Sequence, residues 1–141
     1  MNVLIDTCVW TLALRRRRSG LTADERATLL EVTELIRDDR AVMISPVRQE
    51  LLSGIRLEAD FDRLRLRLND FEDVVLETED FEEAARCHNL CRTGGIVGSS
   101  IDFLICAVAL RRGYSLLTVD ADFKGYAQHL SLVMHQYGGG G

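Results

Sequence analysis

The sequence predicts an α/β fold of three layers, a central and mainly parallel sheet of about five strands with helices on both faces. Three observations predict it. Short apolar runs recur along the chain, at residues 3–6, 41–44, 74–77, 115–119 and 131–135. Stretches with the apolar spacing of helices separate them, and strands that alternate with helices pair in parallel beneath crossover helices. No repeat and no Pro- or Ser-rich linker divides the 141 residues, so one domain over 1–137 is expected. A chain of this size buries roughly 68–70% of its unfolded surface and needs no disulfide or metal staple.

The elements follow in order. Val3, Leu4 and Ile5 form the first run, which Asp6 ends. Residues 10–17 read as a short helix. Thr22 and Glu25 have the spacing of a capping box, in which each side chain satisfies a backbone N–H of the other residue. Ala27, Leu30 and Leu35 give that longer helix its apolar stripe. After the second run, Ser45 is expected as N-cap and Pro46 at the first helical position, where its missing N–H costs nothing. Val47, Leu51 and Leu52 carry the buried face of this helix. Phe61, Leu64, Leu68 and Phe71 space out another. Asp80 and Glu83 read as a second capping pair before a helix over 84–92. Gly94, Gly95 and Gly98 break the chain. A helix over 101–112 follows, with Ile101, Leu104, Ile105 and Val108 as its core face. Basic Arg111 and Arg112 in its last turn and Gly113 just beyond it are a stop signal. Gly138 to Gly141 have no side chains to pack and are expected to form a flexible tail.

Composition narrows the function. Hydrophobic residues make up 47% and charged residues 28%, as in soluble globular domains. No apolar run approaches the ~20 residues of a membrane span. Met1 leads straight into the first strand without a signal-peptide pattern, so the expected compartment is the cytoplasm. The net charge of −5 argues against a protein that coats nucleic acid by charge alone. Lys124 is the only lysine, and the other basic residues are arginines. Cys8, Cys87, Cys91 and Cys106 read as thiols. Cys87, His88 and Cys91 suggest a metal, but both cysteines fall one turn apart on a predicted helix and no second pair follows at zinc spacing. Small residues packed on a helix face explain them better.

The acids are placed differently. Asp6 and Asp120 fall at the carboxyl ends of the first and fourth runs, Glu50 one turn into the helix after the second run, and Asp102 in the first turn of the helix before the fourth. Asp122 follows two residues after Asp120. In open parallel sheets, ligands collect outside the carboxyl ends of the strands. Each acid has a plainer reading: Asp102 as a first-turn acid favoured by the helix dipole, Glu50 as a solvated helix residue, Asp120 and Asp122 as turn residues. Together they repel one another unless a cation sits among them. Oxygen ligands without a paired His or Cys suit Mg²⁺ or Mn²⁺ better than zinc. Such a site points to phosphodiester hydrolysis. The segment from Asp120 to Ser131 starts like a calcium loop, but Ser131 stands where a bidentate Glu is needed. The aspartyl-phosphatase pattern fails at Phe123 and Lys124, and "RTGGIVGSS" lacks the Lys of a P-loop.

With these residues placed, "VLIDTCVW", "ISPVRQELLSG" and "SSIDFLICAVALRRGYSLLTVDADF" carry a resemblance over 1–136. The chain resembles PIN-domain ribonucleases, and in size and layout the VapC toxins of bacterial and archaeal toxin–antitoxin pairs. The resemblance implies an Mg²⁺- or Mn²⁺-dependent endoribonuclease with Asp6, Glu50, Asp102 and Asp120 as its acidic set and Asp122 as a fifth. Asp6, Asp102, Asp120 and Asp122 would be its metal ligands. Thr7, Ser100 and Thr118 match small hydroxyl positions that orient ligands or water. It also implies a homodimer and a cognate antitoxin whose cationic side chains reach the acids. Arg15, Arg16, Arg17 and Arg18 then have two readings: a basic helix end, or a contact to the RNA backbone beside an acidic site. A catalytically silent module of this fold that binds RNA or protein is the main alternative, and the intact acid set weighs against it. A structure-specific DNA nuclease would need additional helices that the short chain lacks.

Overall fold

The computed structural model describes residues 1–15 and 19–138. Arg16, Arg17 and Arg18, and all of the glycine tail except Gly138, lie outside the described residues. The order is β1 (Val3–Ile5), α1 (Thr7–Leu14), α2 (Ala23–Arg37), β2 (Ala41–Ile44), α3 (Ser45–Leu52), α4 (Glu58–Leu68), β3 (Asp73–Val74), α5 (Thr78–Thr93), α6 (Ser100–Arg112), β4 (Ser115–Leu117) and α7 (Asp122–Tyr126). The sheet has strand order β3-β2-β1-β4, and every pairing is parallel. The strands alternate with helices that flank the sheet, which is the expected α/β architecture.

β1 lies between β2 and β4, and its three side chains are fully buried. Each contributes roughly 1.5–3 kcal/mol through removal of apolar surface from water. The strand stops at Ile5 because Asp6 caps α1 at once: its Oδ1 accepts the Thr7 N–H at 2.7 Å. α1 therefore begins three residues before the expected start. The Thr22–Glu25 capping box forms with both of its bonds. Gly113 closes α6 in the left-handed region at φ 70°, where a side chain would be strained.

Several boundaries differ from the expectation. Ser45 is the first residue of α3 and makes no cap, because its hydroxyl donates to Asp73 at 2.7 Å. Arg48 forks onto the same carboxylate and also donates to the Leu68 and Phe71 carbonyls, tying α3 to β3. Phe71 lies past the end of α4 and packs edge-on against Trp10, centroids 4.8 Å apart. β3 has only two residues, since Glu77 already serves as N-cap of α5. The capping pair is thus Glu77 with Asp80, not Asp80 with Glu83. The last expected strand shrinks to a single bridge, Leu116 with Met134. Beyond it the chain turns onto α2, held by His135 on Glu31 at 2.7 Å and Tyr137 on Thr28 at 2.8 Å.

α6 is buried on more than one face, from Phe103 to Ala109 without a break. It packs extensively along α5, where Cys87 and Cys91 are fully buried. Burial pushes the Cys87 thiol up to about 11, so it stays protonated and inert. Among the described residues, no helix is long and apolar enough to cross a membrane.

Asp80 anchors the α5–α6 pair. It has no solvent exposure and receives Arg111 at 2.6 Å and Arg112 at 2.8 Å. Burial pushes its carboxyl up, but bonds from the Glu77 N–H, Arg112 and Arg111 outweigh this and hold it below the usual range. A folded-state value below the unfolded one stabilises above the unfolded value of about 3.9 and is lost as pH falls through the folded value. Asp80→Ala is expected to cost about 3 kcal/mol, the low end for breaking a buried pair, since both arginines keep some solvent. Urea unfolding at pH 7 measures it. Asp80→Asn should flatten the acid limb of stability below about pH 4.

Candidate functional site

The carboxyl ends of β1 and β4 lie side by side, with the Asp6 N–H donating to the Leu117 carbonyl at 3.0 Å. This register sets Asp6 next to Thr118. The Thr118 hydroxyl donates to Asp6 Oδ2 at 2.7 Å and accepts the Asp120 N–H at 3.0 Å. That turn ends β4 at Leu117 and projects Asp120 from the rim. The Asp122 N–H donates to Asp120 Oδ1 at 2.9 Å, which folds the two aspartates toward one another. From the other side, Ser99 caps α6 by accepting the Asp102 N–H at 3.1 Å. Asp102 thus stands in the first turn of α6.

These turns bring Asp102, Asp120 and Asp122 together, each offering one carboxylate oxygen within 4.8 Å of the others. Asp6 lies outside this trio but close to it: its charge is felt by Asp102, and it feels the charge of Asp120. Its own oxygens are engaged by the Thr7 N–H, the Thr118 hydroxyl and the Cys8 thiol, the last at 3.1 Å. Glu50 is not in the trio. Val47 and Leu51 turn inward on α3, which leaves Glu50, about 100° round from Leu51, exposed. Ser100 is exposed at the start of α6, where its neighbour Ser99 provides the cap. The Thr7 hydroxyl is buried without a hydrogen-bond partner, a cost unless something else meets it. Of the expected basic run, Arg15 is exposed at the C-terminal end of α1.

The electrostatics are those of crowded acids. Burial pushes the Asp6 carboxyl above its usual range; the bonds from Thr118, Cys8 and Thr7 oppose this, and the charge of Asp120 adds to it. Burial also raises Asp102, with Tyr126 and Ser99 opposing and the charges of Asp6 and Asp120 adding. The Cys8 thiol is pushed up to about 11 by burial and by Asp6, so it donates its hydrogen instead of ionising. A divalent cation would relieve this repulsion. The donor set suits one: three carboxylates with hard oxygens and no nitrogen or sulfur in the group.

Tyr126 is the residue that sequence reasoning missed. Its hydroxyl donates to Asp102 Oδ2 at 2.7 Å, and its ring is buried between Phe103 and Phe123, both centroids 5.0 Å away. The local sequence shows an aromatic on a short helix. Gly98 was the available signal, since a Cβ there would land on the Tyr126 ring and hydroxyl.

Comparison with known proteins places the chain and its fold. The PIN domain family model matches residues 3–128. Ribonuclease VapC11 from Mycobacterium tuberculosis is 31% identical over 132 residues, 92% of this chain and 95% of that protein. The fold is similar to the crystal structure of VapBC2 from Rickettsia felis bound to a DNA fragment from their promoter. The TM-score is 0.76 at 14% identity, over 96% of this chain and 98% of that one. It is also similar to a toxin–antitoxin complex from Klebsiella pneumoniae, with TM-score 0.63 at 16% identity over 88% and 92% of the two chains. A family match over nearly the whole chain and a relative at this identity leave one assignment: the chain belongs to the PIN-domain family, in its VapC branch.

Proposed function

We propose that this chain is a metal-dependent endoribonuclease of the toxin type, held in check by a cognate antitoxin and working as a homodimer. The observation that carries the reading is the Asp102, Asp120 and Asp122 trio at the carboxyl rim of a parallel sheet. The ribonuclease names of its relatives and the toxin–antitoxin complexes that share its fold support it.

The chain's own residues divide the work. Asp102, Asp120 and Asp122 would hold Mg²⁺ or Mn²⁺. When bound, the cation lowers the pKa of water and stabilises charge that builds on the phosphorus oxygens. Tyr126 fixes one oxygen of Asp102, and the Asp122 N–H fixes one of Asp120. These two carboxylates are thereby oriented before a ligand arrives, which limits the ordering that binding must impose. Thr118 couples Asp6 to the Asp120 backbone, so Asp6 positions the β4 end and adds negative charge next to the trio. The acidic rim also suits a cationic inhibitor side chain from an antitoxin.

The test is incubation of the full chain with a mixed RNA pool in Mn²⁺, Mg²⁺ or EDTA, followed by end mapping. Discrete internal cuts with either metal and none in EDTA are expected. RNA that stays intact in every condition defeats the reading.

Tyr126→Phe isolates one hydrogen bond. The ring packing is kept and the bond to Asp102 is lost. The Mn²⁺ concentration for half-maximal cleavage is expected to rise about 10-fold, the lower range for removing a partner of a metal ligand. The melting temperature in EDTA should change little. An unchanged metal requirement would show that Asp102 is held without Tyr126.

A further inference from the structure

A groove of about 540 Å³ opens where the C-terminal end of α1 meets the turn between α3 and α4 and one face of α4. Arg15, Arg56, Arg63 and Arg67 line it, and Asp60 is the one acid among its lining residues. That is a local excess of three positive charges in a chain whose net charge is −5. The function described above does not use it.

The walls are organised. Arg67 donates to the Leu14 carbonyl at 2.9 Å, so α4 is tied to the last turn of α1. A guanidinium has five N–H donors, and this bond leaves others for a ligand. Arg63 meets Asp60 at 3.0 Å, but both side chains are largely exposed, and such pairs are weak enough to yield to a phosphate. Arg56 and Arg15 are exposed at the rim, with Leu57, an apolar side chain 67% exposed, beside them.

We propose that this groove binds the backbone of a single-stranded RNA segment whose neighbouring phosphodiester is presented to the carboxylates. The proposal rests on the ribonuclease reading and names where its substrate is held. Arginine forks match phosphate oxygens and their planes stack on bases. α1 connects the two places: Asp6 caps its first turn and Arg15 its last, about 13.5 Å apart at 1.5 Å per residue. A short strand of RNA spans that distance. The acidic rim repels RNA, so attraction must come from a basic surface close by, and this groove supplies it.

The test uses the full chain with Arg56→Gln and Arg63→Gln combined, which leaves the Arg67 bond in place. The probe is a fluorescently labelled, mixed-sequence RNA of about 20 nucleotides, with anisotropy read in EDTA across a salt series. The expected result is about a 10-fold weaker affinity at low salt. The slope of log affinity against log salt should become shallower by about 1.4, some 0.7 for each lost phosphate contact. The melting temperature should match wild type. Unchanged affinity and slope overturn the proposal, as does a wild-type protein that does not bind the RNA. A double variant that binds RNA normally but loses its hold on a poly-glutamate peptide also overturns it and puts an acidic protein segment in the groove. Cleavage of the same RNA in Mn²⁺ separates the two claims: a wild type that binds through these arginines yet never cuts keeps the groove and removes the ribonuclease reading.

Discussion

Replacing Asp102 by asparagine is expected to lower RNA cleavage by about 10²–10³-fold or more, while the metal-free protein stays as stable as wild type or becomes more stable. Asparagine keeps an oxygen to accept the Tyr126 hydroxyl and keeps the backbone N–H bonded to Ser99. What it removes is the charge that the trio needs. The stability effect has a definite sign. Burial, with the charges of Asp6 and Asp120 adding to it, raises the folded-state value of Asp102 above its unfolded one. The stability from holding the proton is fully present below the unfolded value of about 3.9 and is lost as pH rises through the folded value. At pH 7 without metal the carboxylate is therefore a burden that asparagine lifts. Below about pH 4 the two proteins should melt alike. Thermal melts in EDTA at both pH values, with a cleavage assay in Mn²⁺, check both halves. Retained cleavage contradicts the site, and a lower melt at pH 7 contradicts the repulsion.

Gly98→Ala is expected to have the second largest effect. A Cβ there would fall on the Tyr126 hydroxyl and 2.6 Å from Cζ of its ring. The ring is 1% exposed and packed on Phe103 and Phe123, so it cannot swing clear cheaply. Overpacking of this kind costs about 1–3 kcal/mol. Displacing the hydroxyl from Asp102 should also lower cleavage about 10–100-fold at limiting Mn²⁺. Urea unfolding and metal-dependent rates measure the two parts. In a Tyr126→Ala background the added methyl has room, so its further cost should nearly vanish. Simple additivity in that double-mutant cycle would mean that Gly98 and Tyr126 do not press on one another.

The sequence makes the framework legible because its signals are local. The Thr22–Glu25 box and the Gly113 stop each depend on a few neighbouring residues, and each forms as read. β2 has the expected bounds. Other boundaries are decided by distant partners. Ser45 gives its hydroxyl to Asp73, 28 residues on, so it cannot cap α3. The last strand loses its length because His135 and Tyr137 bind α2, more than 100 residues earlier in the chain. The same holds at the site. Asp102, Asp120 and Asp122 can be named from their places at strand and helix ends, and the fold brings their oxygens together. Glu50 has a comparable place in the sequence; it is exposed on α3 and outside the trio. The engagement of Asp6 by Thr118 and the grip of Tyr126 on Asp102 arise only once β4 and α7 have folded back against β1 and α6. Local pattern carries no trace of the first, and of the second only Gly98, whose missing Cβ leaves room for the Tyr126 ring.

The proposed chemistry requires Asp102, Asp120 and Asp122 to form a cation site. Titrating Mn²⁺ into the full chain and following the free-ion EPR signal tests it most directly, with wild type beside Asp120→Asn. Saturable loss of free Mn²⁺ is expected in wild type at pH 7, with at least a 10-fold weaker hold in the variant. Equal binding by both proteins, or none by wild type, would contradict it.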